Sequence, residues 1–435
     1  MTAASIDLVD ARSLVEARLG RRPQDMLEAA VVLEAWAGVP AEAALATASA
    51  TMSAESALPQ PSVGRLPRHR QRDGVVLEGA GFLIAVVAIA CWASPLTRAA
   101  GLHAVEVALT VALPLTLAAQ RALGQRFLDR ERGVEQLARH RLALLAGAVG
   151  VLLVLALALG TGGLLAGLLT ITWTGGTVLM RRRWPAAYVA IILAATAALL
   201  GGLAPLTVVA AAAAATAVAV ALALRAPAPP AAHRPHVLVT PTLVAGATGV
   251  GLGAMLVLDR SVTWTDGAAP ALALVPSTLA ALLAGHHLRH LELSIPSALR
   301  GVPAAQPARR LGSKPVRILA SASGRLVGLS ARLSIPLLWA SPWSGEAGVL
   351  AGFALVALAA MLVGLLDSLG RAGWALAAVA CGALAEAAIR AGSVDPFAGA
   401  GLVAGGLVVT LIVLPPVVTR LGRPATTLAT ALWIR

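Results

Sequence analysis

Two cysteines in 435 residues, Cys91 and Cys381, both set inside apolar runs, leave no material for a disulfide framework or a thiolate metal site. Charge is scarce as well. Charged residues make up 13% of the chain against 58% hydrophobic ones, too little polar surface to clothe a soluble protein of this length. The first twenty residues, MTAASIDLVDARSLVEARLG, are acidic and amphipathic and have no apolar h-region, so no cleaved signal peptide is expected and the N-terminus stays on the cytoplasmic side. Paired carboxylates in a cytoplasmic loop and Walker-type phosphate loops are missing, and the external loops are too short for a catalytic domain. An enzyme is therefore disfavoured, and no cofactor is expected.

What the chain has in quantity is hydrocarbon. A mean hydropathy of +0.81 and repeated apolar stretches of about 20 residues define an all-α, polytopic membrane protein. The net charge of +13 is carried by short arginine clusters between apolar runs rather than by one polar face, which excludes nucleic acid as a partner and points to membrane orientation. Spans are expected near 75–94, 104–120, 142–160, 164–180, 185–203, 205–224, 237–258, 269–285, 317–340, 347–366, 372–390 and 397–418, about twelve in all. Alternate loops carry the arginines: 121, 126, 130, 132, 139 and 141; then 181–183; then 225 and 234; then 289, 300, 309 and 310 with Lys314; then 371; then 420 and 423. The opposite side has only Arg98, Arg260 and Arg390. Both termini are thus expected in the cytoplasm, with the protein in the cytoplasmic membrane. Trp92, Trp264, Trp339 and Trp343 are expected at the outer interface, and Trp184, Trp374 and Trp433 at the inner one.

The chain divides accordingly into a cytoplasmic helical module at 1–52, a Pro/Arg-rich linker at 53–74, a six-helix half at 75–225, a second at 237–418 and a tail at 419–435. In the module, Leu8, Leu14, Val15 and Leu19 recur at helical spacing, Pro23 suits the first turn of a second helix, and Gly38-Val39-Pro40 ends it. The module is either a passive extension or a docking site for a cytoplasmic synthase or regulator. The two halves carry a short echo, PLTLAA at 114–119 and PSTLAA at 276–281, an offset of 162 residues that also maps Val75 onto Val237. Two such halves fit a repeat about an axis along the membrane normal.

Charges inside spans are the candidate functional residues. In RILASASGRLVGLSARLSIPLLW, Arg317, Ser321, Arg325, Gly328 and Arg332 fall on one helical stripe, and Arg332 lies near mid-membrane. An ionised guanidinium there costs about 2.5–3.5 kcal/mol on an insertion scale unless it meets water or an anion. Arg332, Arg325 and Ser321 are thus read as lining a substrate cavity, with snorkelling to the cytoplasmic face the plainer alternative for Arg325. Glu78, Glu106 and Glu386 are the intramembrane acids. Glu386 precedes Arg390 by four residues, the spacing of a helical ion pair, and each acid is otherwise a partner for Arg332 or a proton-coupling carboxylate. Asp259, Arg260 and Trp264 close the seventh span either as an interfacial cap or as an outer gate. His286, His287, His290 and Glu292 resemble a metal set, but they end a cytoplasmic helix where basic residues are expected, so no metal is assigned. GATGVGLG at 246–253 follows no strand, and its glycines are read as close helix packing rather than a nucleotide site.

Four stretches resemble the inner-membrane transporters of Pel exopolysaccharide systems, a branch of the MOP flippase superfamily. They are LPLTLAAQRALGQRFLDRERG at 113–133, TITWTGGTVLMRRRWPAAY at 170–188, GVGLGAMLVLDRSVTW at 249–264 and LVPSTLAALLAGHHLRHLE at 274–292. In that family the seventh span resembles an apolar run ending in Asp, a base and a Trp, so the resemblance carries over Asp259, Arg260 and Trp264. The sequence departs from it after the eighth span, where HHLRHLE replaces an acidic, aromatic segment, and in its N-terminal module. The resemblance implies a transporter that moves a polysaccharide or lipid-linked saccharide outward by alternating access, with membrane lipids as neighbours. Two other classes stay open: a glycosyltransferase or polymerase acting on polyprenyl-linked sugars, and a non-transporting scaffold of a synthesis complex.

Overall fold

The computed structural model describes residues 8–53 except 20–22 and 24, 81–125 except 82 and 89, 141–225 except 183, 239–258, 273–288 except 286, 314–339, 346–392 and 397–422. Among the described residues the protein is helical, with no strand.

Helices α1 (Leu8–Leu19), α2 (Met26–Ala37) and α3 (Ala41–Ser53) form the N-terminal module around Ala11, Val15, Leu33, Ala44 and Ala48. The second helix starts later than Pro23 suggests. Asp25 is its N-cap, its carboxylate accepting from the Glu28 backbone N–H at 2.8 Å, because a cap acceptor satisfies a first-turn donor that a proline does not. Gly38 ends it at φ 65°, as expected from the Gly38-Val39-Pro40 break.

The membrane part comprises α4 (Ala93–Ala100, the end of an apolar stretch from Leu83), α5 (Leu102–Gln125), α6 (Arg141–Arg181), α7 (Pro185–Leu200) and α8 (Pro205–Ala223). It continues with α9 (Val239–Leu258), α10 (Ala273–Gly285), α11 (Lys314–Trp339), α12 (Ala347–Ser368), α13 (Ala372–Ala391) and α14 (Ala400–Leu421). Seven of the described helices are long and apolar enough to cross a bilayer, and α7, α10 and the Thr242–Leu258 part of α9 are shorter apolar helices. Helix α11 is 26 residues long, about 39 Å, enough to cross despite its charges. The single long helix α6 is two spans. Gly160, at φ 58° and ψ −137°, breaks it in a backbone region that only glycine occupies without strain. Beyond Gly160 the chain doubles back: a methyl on Gly163 would sit 2.6 Å from the Leu155 carbonyl carbon, and one on Gly167 would sit 3.2 Å from Leu152 Cα. The protein is thus a multi-pass, all-α membrane protein.

The hairpin supplies a test. Gly160→Ala should cost about 1–3 kcal/mol of backbone strain and lower the thermal unfolding temperature of the detergent-solubilised protein. Gly150→Ala, with open space around its Cβ position, should leave that temperature unchanged.

Two apolar cores fill the membrane part. One joins α4 through α8 around Leu109, Leu165, Leu169, Ile192 and Val209; the other joins α9 through α14 around Met255, Leu326, Leu362, Val379 and Val409. Outward-facing leucines such as Leu157, Leu384 and Leu411 are exposed, as side chains that meet lipid tails rather than water should be. Trp92 corrects an expectation. It is buried, and its indole N–H donates to Thr196 Oγ1 at 2.8 Å. The apolar stretch runs on to Ala100, so Trp92, the N-cap of α4, lies well before its end, packed in the first core where an indole donor needs a protein acceptor. Trp184, Trp339 and Trp374 are exposed at helix ends.

Candidate functional site: the seam between the two cores

Helix α9 belongs to the second core yet lies antiparallel against α5 of the first. Its glycines make this approach. A Cβ on Gly249 would fall 2.6 Å from Ala118 Cα, and one on Gly253 would fall 2.7 Å from the Pro114 nitrogen, so the two backbones touch. This is the close packing expected of the GATGVGLG stretch. The opposite side of α9 faces its own core. Gly251 abuts Val379 of α13, and Met255 reaches the Gly382–Gly405 crossing of α13 and α14. Pro114 donates no N–H to its own helix, which leaves α5 free to bend at the point where α9 crosses it.

Two turns beyond Pro114, Arg121 closes the seam. Its Nη1 donates to Asp367 Oδ2 at 2.7 Å, and its Nη2 donates to the Ala360 carbonyl at 3.1 Å. Both acceptors belong to α12. The side chains are 16% and 8% exposed, so this is a largely desolvated, charge-assisted pair joining residues 246 apart in sequence and one core to the other. Leu117, one turn before Arg121, packs on the second core and extends the contact. Gln120 turns the other way and donates to Thr177 Oγ1 at 3.0 Å, tying α5 to α6. The end of α5 therefore bonds both cores at once.

Arg121 reads in the sequence as one of a cluster of orienting arginines, and Asp367 as a helix-end acid. Nothing local marks either as a partner of the other. The only available signal is the rarity of acids in the second half, where Asp367 is the sole carboxylate ending a span next to a glycine-arginine turn, DSLGR. Arg182 lies past α6 and outside the spans. Burial pulls its guanidinium below the ordinary arginine value, and Nε and Nη2 have no hydrogen-bond acceptor among the described residues.

The stripe on α11 is present. Leu319, Ala322, Leu326, Ser330 and Ser334 are buried, and the helix packs on α12 and α14. Arg317, Ser321, Arg325, Gly328 and Arg332 occupy the opposite, exposed face. Arg325 Nη1 lies 3.2 Å from His287 Nδ1. A guanidinium only donates, so Nδ1 accepts and the imidazole proton sits on Nε2. Among the acids, Glu386 is fully buried in α13, with a Cβ on Gly405 set to lie 3.3 Å from its Oε2. Glu106 is half-buried near the start of α5. Glu78, Asp259, Arg260, Trp264, His286, His290 and Glu292 lie outside the described residues, as do the 54–74 linker and the tail from 423. Among the described residues no group of three or more His, Cys, Asp or Glu is placed to hold a metal ion.

No family model matches the chain, and no curated protein does. Among solved structures, it is similar to an outward-facing conformation of a multidrug resistance MATE family transporter of the MOP superfamily, at 12% identity over 81% of this chain and 96% of that one, with a TM-score of 0.48. It is also similar to a MATE structure in complex with MaL6, at 11% identity, the same coverage of both chains and a TM-score of 0.48.

Proposed function

We propose that this protein is a transporter of the MOP type that moves a polysaccharide or lipid-linked saccharide outward across the cytoplasmic membrane by alternating access. The observation that carries the reading is the Arg121–Asp367 pair. A buried ion pair between two separately cored helix bundles is an expensive way to stabilise a static fold, since apolar residues of the same volume do as well. Its advantage lies in being made or broken as a unit, which gives two discrete states. With α5 entering the cytoplasm at Arg121, the pair latches the inner mouth, and the glycine seam of α9 on α5 is the surface about which the halves rock. Arg332, Arg325 and Ser321 supply donors for saccharide hydroxyls or phosphates. Asp259, Arg260 and Trp264 form the outer rim, and Glu386 is the buried acid available for coupling. The module at 1–52 meets a cytoplasmic synthase or regulator. None of these roles is enzymatic.

The test is polymer location. In cells lacking the protein, polysaccharide or its lipid-linked precursor should accumulate inside while surface polymer disappears, and the wild-type chain should reverse both. A fall in total synthesis without internal accumulation would place the protein before transport and overturn the reading.

A further inference from the structure

We propose that the first core holds an ordered water between Thr116 of α5 and Trp173 of α6, and that this water is the joint on which α5 shifts against α6. Threonine hydroxyls in apolar helices ordinarily return to their own backbone. Thr110, Thr170, Thr172 and Thr216 do so here, each donating to the carbonyl four residues before it at 2.7–2.9 Å. Thr116 does not. The residue is buried, 4% exposed, and its Oγ1 has no hydrogen-bond partner among the described residues. The same holds for the Trp173 indole N–H and for the Thr174 hydroxyl beside it.

Register brings the first two of these groups to one level. Gln120 Nε2 donates to Thr177 Oγ1, 57 residues on, and a Cβ on Gly162 would meet Val107 at 2.9 Å and the Ala104 carbonyl oxygen at 3.1 Å. Helix α5 and the second arm of α6 therefore run parallel with a nearly constant offset. One turn back from Gln120 and Thr177 come Thr116 and Trp173, on the same two facing surfaces. They face each other without bonding. An N–H and a hydroxyl left unpaired in an apolar core each cost about as much as a lost hydrogen bond, and a water that accepts from the indole and bonds the hydroxyl removes both costs. An indole only donates, whereas a hydroxyl donates or accepts, which is a set that one water satisfies. The other buried indole of this core needs no bridge, because Trp92 donates directly to Thr196 Oγ1 at 2.8 Å.

The position of the bridge gives it a use. Thr116 lies two residues after Pro114, where α5 is free to bend, and five before Arg121, which closes the seam. A direct bond holds two helices at one separation, whereas a bridging water can change partners as they slide past each other. Gln120 pins α5 to α6 at Thr177, and the next turn is left adjustable. The joint rests on the transport reading, since only a moving α5 needs one. The water does not.

The experiment uses the full chain in detergent, mixed rapidly into heavy-oxygen water, oxidised by an X-ray pulse and read by mass spectrometry. Trp173 should be oxidised several-fold faster than Trp92, which is buried in the same core but already paired. The oxygen that Trp173 gains should still be light at a delay when the exposed Trp339 already gains heavy oxygen, because an ordered water exchanges slowly with the bulk. Thr116→Val keeps the side-chain shape and removes the hydroxyl. It should bring Trp173 oxidation toward that of Trp92 and lower the thermal unfolding temperature by about 1–2 °C. Combined with Trp173→Phe it should cost less than the two single changes together, since each removes a bond to the same water. A higher unfolding temperature in Thr116→Val would reveal an unsatisfied hydroxyl in a dry core and overturn the proposal. Trp173 oxidation no faster than that of Trp92, immediate uptake of heavy oxygen at Trp173, or strictly additive variants would overturn it equally. The joint is read separately: Thr116→Val should slow export several-fold at unchanged abundance in the membrane, and unimpaired export would remove that role. Oxidation and unfolding are measured without export, so deletion cells that accumulate no polymer refute the transport reading and leave the water standing.

Discussion

Replacing Arg121 with alanine should open the seam at its Arg121–Asp367 end. The readout is a cysteine at Gly364, whose Cβ position lies 3.8 Å from Arg121 Nη2, in a background with Cys91 and Cys381 changed to serine. In the wild-type latch that thiol is covered, and in Arg121→Ala it should react with a membrane-impermeant maleimide about 30- to 1,000-fold faster. The magnitude follows from removing one partner of a largely buried pair, about 2–4 kcal/mol after allowance for the water that reaches Arg121. That cost falls on the latched state, because in an unlatched state both groups are free to hydrate. Asp367→Asn should behave alike, and the exchange Arg121→Asp/Asp367→Arg should recover much of the protection, since it restores the pair while leaving the Ala360 carbonyl without its donor. Unchanged labelling in Arg121→Ala would show that the pair is no gate.

The second large effect concerns Gly253. A valine there would drive its Cβ onto the Pro114 backbone, which has no side-chain freedom with which to yield. Overpacking of this kind costs about 1–3 kcal/mol, and here both contacting groups are main chain, so the upper end applies. We expect Gly253→Val to lower the thermal unfolding temperature by several degrees and to abolish export. Gly246→Ala, whose new methyl would lie 4.0 Å from the Ala118 carbonyl oxygen, should be tolerated on both counts. Retention of full stability by Gly253→Val would mean that α9 and α5 do not cross as closely as described.

The spans were legible because hydrocarbon length is a one-dimensional property: runs ending at Leu258, Trp339 and Ala391 are bounded in the sequence much where the helices end. The arginine stripe on α11 was legible for a similar reason, since helical spacing alone puts residues seven and eight apart on one face. What the sequence could not show is pairing. Arg121 looks like any orienting arginine, and its partner lies 246 residues away, so only the folded arrangement reveals the latch. Trp92, buried rather than exposed, differs for another reason. An apolar run ending near 94 puts it at a span end, but α4 carries the stretch on through Thr97 and Arg98, because a threonine can return its hydroxyl to the Ala93 carbonyl and an exposed arginine can lie along the helix end. The glycines of α9 were read correctly as packing residues, yet their partner, a proline on the other half, was invisible until the two helices were seen to cross.

The one-residue turn at Gly160 also bears on how the protein is made. Between α6's two arms there is no polar segment to be carried through the membrane, only a glycine and its neighbours. These two spans should therefore insert as a single hairpin whose arms pair through Gly163 and Gly167. Arg141 opens the first arm and Arg181 and Arg182 follow the second, so both ends of the hairpin carry arginines and one charge pattern orients the two arms together.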